Sequence, residues 1–252
     1  MDEYIVKKVT KKGKKYLVEI SNIEEELVLS EDLIVEYRII VGTIFDKKTF
    51  NKIKKSEKEV LYYNKVLHFI DFKPRTKKEV EEYLKKLEVP LEQIGLIIKK
   101  LIKIAYIDDE RYTKSYVLES IRKLKGKNYI IQSLSLKGID KELALKYVDE
   151  YCDKEIEREN ALKITRKLIL TISKNPLKKQ KVQINNKLMI EGYSYDIINY
   201  VLSNIELIDE SEELLIKEYN KLLLKETDKN KIIQKLLNKG FEYSNIRKII
   251  EK

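Results

Sequence analysis

Leu134-Ser135-Leu136-Lys137-Gly138-Ile139 and Leu188-Met189-Ile190-Glu191-Gly192-Tyr193 share one layout, and Leu236-Leu237-Asn238-Lys239-Gly240-Phe241 repeats it. A fourth copy, Leu84-Lys85-Lys86-Leu87-Glu88-Val89, carries glutamate where the others carry glycine. The four marker positions, Glu88, Gly138, Gly192 and Gly240, lie 50, 54 and 48 residues apart. Six residues beyond each marker stand Ile94, Ala144, Ile198 and Ile246. Nine and ten beyond stand Ile97-Ile98, Tyr147-Val148, Val201-Leu202 and Ile249-Ile250. A glycine suits the left-handed residue that ends a helix, and a 6/9/10 stripe is the buried face of the next helix. Registered copies at near-constant spacing make a true repeat.

Each unit of about fifty residues has room for three short helices: a long first helix, a middle helix ending at the marker, and a third carrying the stripe. The first helices are expected over 57–71, 110–125, 157–174 and 210–225. The fold class is therefore mainly α: tandem three-helix repeats forming an extended, curved solenoid around one continuous core. The units divide as 56–107, 108–155, 156–208 and 209–252. Capping boxes support the first of them, since Ser56-Glu57-Lys58-Glu59 and Thr76-Lys77-Lys78-Glu79 flank the break at Pro74.

Residues 1–55 read differently, as a small N-terminal β-hairpin-containing (α+β) segment. Tyr4-Ile5-Val6 and Val9 lead through Lys11-Lys12-Gly13-Lys14 to Tyr16-Leu17-Val18-Glu19-Ile20, a hairpin pattern. Glu26-Leu27-Val28-Leu29 supplies a third strand, and Ser30 caps a short helix through Arg38.

Composition agrees. Glycine and proline together are about 4% of the 252 residues, against roughly 12% ordinarily, which excludes collagen, low-complexity chain and turn-dense β-sandwiches. Apolar residues at 43% beside charged residues at 37% describe a charge-covered protein with enough to bury. Cys152 has no partner for a disulfide, and with a sole histidine, His68, no Cys/His metal site can be assembled. No apolar run reaches the roughly 20 residues of a membrane helix, and Met1-Asp2-Glu3-Tyr4 does not open like a signal peptide. A reducing, cytoplasmic location without membrane attachment is expected.

The net charge of +10 is a small difference between 52 basic and 42 acidic residues, and codon drift in an AT-rich genome explains many lysines. Drift does not explain segregation. Residues 161–190 hold no acid, yet Lys163, Arg166, Lys167, Lys174, Lys178, Lys179, Lys181 and Lys187 fall there. The basic clusters also occupy one place in the repeat, between first and middle helix. They are Lys73, Arg75, Lys77 and Lys78, then Lys123, Lys125 and Lys127, then Lys174, Lys178, Lys179 and Lys181, then Lys225, Lys229 and Lys231. Equivalent positions in stacked units form a basic stripe, suited to a polyanion.

Chemistry is not signalled. Any hydrolytic triad must use His68, which sits in the apolar stretch Val66-Leu67-His68-Phe69-Ile70 and reads as a packed structural residue. Gly13-Lys14 and Gly126-Lys127 lack the rest of a P-loop. Asp108-Asp109-Glu110 reads as a helix cap with dipole-favoured carboxylates rather than a metal site. No catalytic residue, metal or cofactor is expected.

The stretch from Asp71-Phe72-Lys73-Pro74-Arg75-Thr76 through Tyr83-Leu84 resembles a signature of the RecX family of recombination regulators. Tyr106-Ile107-Asp108-Asp109-Glu110-Arg111-Tyr112 with Tyr116-Val117, then Gly126, Ile131 and Leu136-Lys137-Gly138-Ile139-Asp140, continue it. The resemblance spans the chain from about Ser56 onward. It implies a non-enzymatic, monomeric protein of tandem three-helix units that binds RecA. Such proteins lie along the RecA–single-stranded DNA filament and limit its growth or promote its disassembly, inhibiting strand exchange and co-protease activity. Weak direct binding to single- or double-stranded DNA goes with that role, and the basic stripe would carry the RecA/DNA contact. Glu88-Val89-Pro90 departs from the family's glycine, so that helix end is expected to be built differently. Two other classes fit a basic helical repeat: a plain nucleic-acid-binding protein, and an adaptor with a protein partner only. Steep salt dependence separates phosphate contact from the adaptor.

Overall fold

A computed structural model describes residues 3–24, 26–207 and 209–251. The chain forms two compact units, one through Asp109 and one from Glu110.

The first unit opens with strands β1 (Tyr4–Lys12), β2 (Lys15–Ile20) and β3 (Leu27–Ser30), helix α1 (Glu31–Glu36) and strand β4 (Ile44–Phe45). All pairings are antiparallel and the sheet order is β3-β2-β1-β4. The hairpin, the third strand and the Ser30 cap stand as the sequence suggests, although α1 ends before Arg38. β4 has only two residues, too few for an alternating pattern to reveal it. Val6, Val18, Ile20, Leu27 and Leu29 turn one sheet face inward against Leu33, Phe50 and Ile53.

Helix α2 (Lys47–Phe72) corrects the expected start at Ser56. Its cap is Asp46, whose carboxylate accepts the Thr49 N–H at 2.7 Å. Ser56 lies inside the helix, its hydroxyl 3.4 Å from that of Tyr37. The helix extends backward because Phe50 and Ile53 continue its apolar stripe onto the sheet, while Val66 and Ile70 serve the first helical repeat. His68 is a second correction. It is exposed, not packed, because Val66 and Ile70 point inward and position 68 falls on the opposite side of a 3.6-residue turn.

Repeat 1 is completed by α3 (Lys77–Lys86) and α4 (Leu91–Lys103). The Thr76 box is formed: the hydroxyl accepts from the Glu79 N–H at 3.2 Å, and Glu79 accepts from the Thr76 N–H at 3.0 Å. Then follow α5 (Asp109–Arg122), α6 (Lys127–Leu136) and α7 (Lys141–Tyr151), and next α8 (Lys154–Ile172), α9 (Leu177–Ile190) and α10 (Tyr195–Asn204). The last three helices are α11 (Ser211–Leu223), α12 (Lys229–Asn238) and α13 (Tyr243–Ile250). No described helix is long and apolar enough to cross a membrane.

All four middle helices end alike. The residue after the marker donates its N–H back to the leucine carbonyl: Val89 to Leu84, Ile139 to Leu134, Tyr193 to Leu188 and Phe241 to Leu236, at 3.0–3.2 Å. This is the Schellman arrangement, with its left-handed residue at the marker. Gly138, Gly192 and Gly240 have φ of 79°, 87° and 94°, and Glu88 has 57°. The first copy is thus not built differently; Glu88 tolerates what glycine prefers. Leu84, Leu134, Leu188 and Leu236 are each 0% exposed.

The expected continuous core is corrected as well. Among the described residues each repeat encloses its own apolar cluster, around Leu84, Leu134, Leu188 and Leu236 respectively. Three helices already bury a closed triangle of side chains, which gives each repeat a core of its own.

Candidate nucleic-acid interface

The first turns of the middle helices hold Lys77 and Lys78 in α3, Lys127 in α6, Lys178 and Lys179 in α9, with Lys181 opening its second turn, and Lys229 and Lys231 in α12. Lys73, Arg75, Lys123, Lys125, Lys174 and Lys225 lie in the connectors ahead of them. A helix N-terminus is the positive end of the dipole, and a cation there costs roughly 0.3–1 kcal/mol. These lysines do not stabilise the helices that carry them. An anion placed there would be attracted by side chains and dipole together.

Partners divide the clusters in two. In repeat 1 the Arg75 guanidinium lies 3.9 Å from the Phe69 ring centre and 4.0 Å from Glu79 Oε1, and Lys78 reaches Glu82 at 3.9 Å. In repeat 2 Lys123 pairs with Glu119 at 2.6 Å, Lys125 with Glu191 at 2.6 Å and Lys127 with Asp149 at 3.0 Å. Lys174, Lys178, Lys179, Lys181, Lys225, Lys229 and Lys231 are exposed and make no ion pair among the described residues. On α8, Arg166 and Lys167 are likewise exposed and without an ion pair, on one face with Lys163 and Leu170. The stripe as read from sequence left out this α8 face. Its signal was the i, i+3, i+4, i+7 spacing inside the acid-free window.

A second arrangement links successive repeats. The Lys77 N–H donates to Asp109 Oδ1 at 2.8 Å, the Lys127 N–H to Glu157 Oε1 at 3.4 Å and the Leu177 N–H to the Ser211 hydroxyl at 2.9 Å. Each donor is the first residue of a middle helix, and each acceptor sits at the start of the next repeat's first helix. The caps of α6 and α9, Gly126 and Pro176, offer no side-chain acceptor of their own. The later helix thus satisfies an orphan donor of the earlier one. α12 is capped by its own Asp228.

Between repeats 2 and 3 the backbones themselves touch. The Gly126 N–H donates to the Glu191 carbonyl at 2.8 Å, and the Asn128 N–H to the Gly192 carbonyl at 3.1 Å. A Cβ on Gly126 would meet Gly192 C at 2.5 Å, and one on Gly192 would meet Tyr129 N at 2.3 Å. Only two glycines allow this approach. The Tyr193 hydroxyl donates to the Leu124 carbonyl at 2.9 Å, and burial raises its pKa. Burial also raises the Glu157 carboxyl and pushes the Cys152 thiol up to about 11. Glu191 is pulled upward by burial, but Lys125 and Lys187 outweigh that and hold it below the ordinary carboxylate range.

The acidic triple has structural partners. Asp109 serves Lys77 as above, while Glu110 accepts from the Tyr147 hydroxyl at 2.7 Å and from Lys146 at 3.0 Å.

Against known proteins, models of the first and second RecX three-helix domains match residues 63–101 and 108–146. The regulatory protein RecX of Streptococcus agalactiae serotype V is 31% identical over 259 residues, covering 96% of each chain. The chain belongs to the RecX family. RecX of Oceanobacillus iheyensis is 27% identical over 234 residues, 88% of this chain and 86% of that one. The crystal structure of RecX from Lactobacillus salivarius is 31% identical with a TM-score of 0.53, covering 59% of this chain and 96% of its own. Another crystal structure of regulatory protein RecX shares the fold, with a TM-score of 0.63 at 24% identity, over 80% of this chain and all of its own. The two matched RecX domains correspond to repeats 1 and 2, where the basic residues are largely ion-paired.

Proposed function

We propose that this RecX-family chain regulates homologous recombination by binding RecA and its filament on single-stranded DNA, limiting filament growth or promoting disassembly. Strand exchange and co-protease activity fall as a consequence. The observation that supports this best is the set of cations at equivalent helix starts, in a family chain of tandem three-helix units. A filament offers both acidic protein surface and phosphates to such a series. The division 1–55, 56–107, 108–155, 156–208 and 209–252 belongs to the same reading, each helical unit contributing one cluster. We assign the phosphate contact chiefly to repeats 3 and 4, whose lysines carry no internal ion pair, and the protein acts as a cytoplasmic monomer.

The test is RecA assembly on single-stranded DNA, read by filament length and by ATP hydrolysis. Substoichiometric protein should shorten filaments and lower hydrolysis. Unchanged length and hydrolysis with excess protein would refute the proposal.

A further inference from the structure

Six lysines, Lys7, Lys8, Lys11, Lys12, Lys14 and Lys15, crowd into residues 7–15, and no acidic residue occurs from 4 to 18. All six are exposed. The hairpin register decides which way they face. Val6 opposite Ile20 and Val9 opposite Val18 turn toward the core, so Lys8 opposite Glu19, Thr10 opposite Leu17 and Lys12 opposite Lys15 turn outward. Lys8 is paired with Glu19 at 3.3 Å, and the Lys11 ammonium lies 5.3 Å from the Tyr16 ring centre. Lys7, Lys12, Lys14 and Lys15 form no ion pair among the described residues.

Lys12 directly across from Lys15 is a like-charge cross-strand pair, which opposes the strand pairing it sits in. The turn itself needs only Gly13, at φ 64°. The charges of Lys7, Lys12, Lys14 and Lys15 therefore answer to no ion pair among the described residues. We propose that the outward face of the β1–β2 hairpin tip is a second phosphate-binding surface, and that it takes duplex DNA.

Two features favour the duplex. The outward positions of the two paired strands, Lys8, Thr10, Lys12, Lys15, Leu17 and Glu19, include no aromatic ring on which an unpaired base could stack. Recognition there is by charge alone, and a duplex carries twice the linear phosphate density of one strand. The surface is sequence-blind for the same reason, since phosphate contacts position without reading bases. It does not depend on the helical clusters, which lie on other elements.

The experiment titrates the full chain against a labelled 30-base-pair duplex and its single strand across a salt series. In K12Q/K14Q/K15Q the duplex salt slope should fall by about 2.7, three contacts at about 0.9 each, with a smaller change on the single strand. The matching Lys→Arg triple should bind as the parent does, because charge is retained. An unchanged duplex slope, an equal loss on both nucleic acids, or a loss shared by the arginine triple overturns the proposal. K178Q/K179Q/K181Q separates the two readings. If only this α9 variant loses binding, the hairpin surface falls and the helical interface stands. If only the hairpin variant loses duplex binding, the reverse holds.

Discussion

Glu88 occupies a backbone conformation that glycine holds in the other three repeats. A side chain in the left-handed region costs roughly 1–2 kcal/mol, so Glu88→Gly should raise stability by about 1 kcal/mol in denaturant unfolding. Gly192→Ala tests the opposite case. There the left-handed cost adds to a collision with the Tyr129 backbone, and a loss of about 3 kcal/mol is expected. Nearby, two carboxylates titrate in opposite directions. Burial raises Glu157, so the folded state holds its proton more tightly, and stability falls as pH rises from the ordinary carboxylate pKa to the raised one. Glu157→Gln should therefore unfold at higher temperature than the parent at pH 7, an advantage that shrinks below the ordinary carboxylate range. Despite burial, Glu191 is held low by Lys125 and Lys187, so its contribution is present at neutral pH and lost as pH falls through its lowered pKa. Glu191→Gln should unfold at lower temperature than the parent at pH 7.

Helices packed as triangles put their energy into one leucine per unit. Truncating Leu84, Leu134, Leu188 or Leu236 to alanine should cost about 2–5 kcal/mol, with Leu236→Ala at the low end because the buried cluster around it is the smallest among the described residues. Charge reversal should separate clusters that look alike in sequence. Lys174, Lys178, Lys179 and Lys181 reversed to Glu should weaken DNA or filament binding with little change in Tm. Lys125→Glu should lower Tm, because it sets a carboxylate against Glu191. Reversing Lys52 and Lys58 should do neither. These helices were legible because leucine, marker and stripe recur at fixed spacing, a local signal repeated four times. The start of α2 was not, because Ser56-Glu57-Lys58-Glu59 mimics a cap while the decisive partners of Phe50 and Ile53 are strands far off in sequence. The ion pairs of Lys125 and Lys127 escaped for the same reason. Their partners, Glu191 and Asp149, lie 66 and 22 residues away, and no spacing rule connects them.

Across the described residues the apolar side chains gather into five clusters, one for the N-terminal sheet and one for each repeat. Such a chain should not melt as one unit. Calorimetric and van't Hoff enthalpies should disagree, and near- and far-ultraviolet dichroism should not share a midpoint; coincident transitions would show the junctions to be stronger than the separate cores imply. The junction between repeats 2 and 3 also sets an order in time. The α6 N-terminus takes one partner from Glu157, 30 residues onward, and Lys125 beside it meets Glu191 only 66 residues onward. At about 5–20 residues per second of synthesis, that second partner trails by about 3–13 s. During translation repeats 2 and 3 thus emerge from the ribosome with the middle helix still open at one end, and each is closed by the repeat made after it.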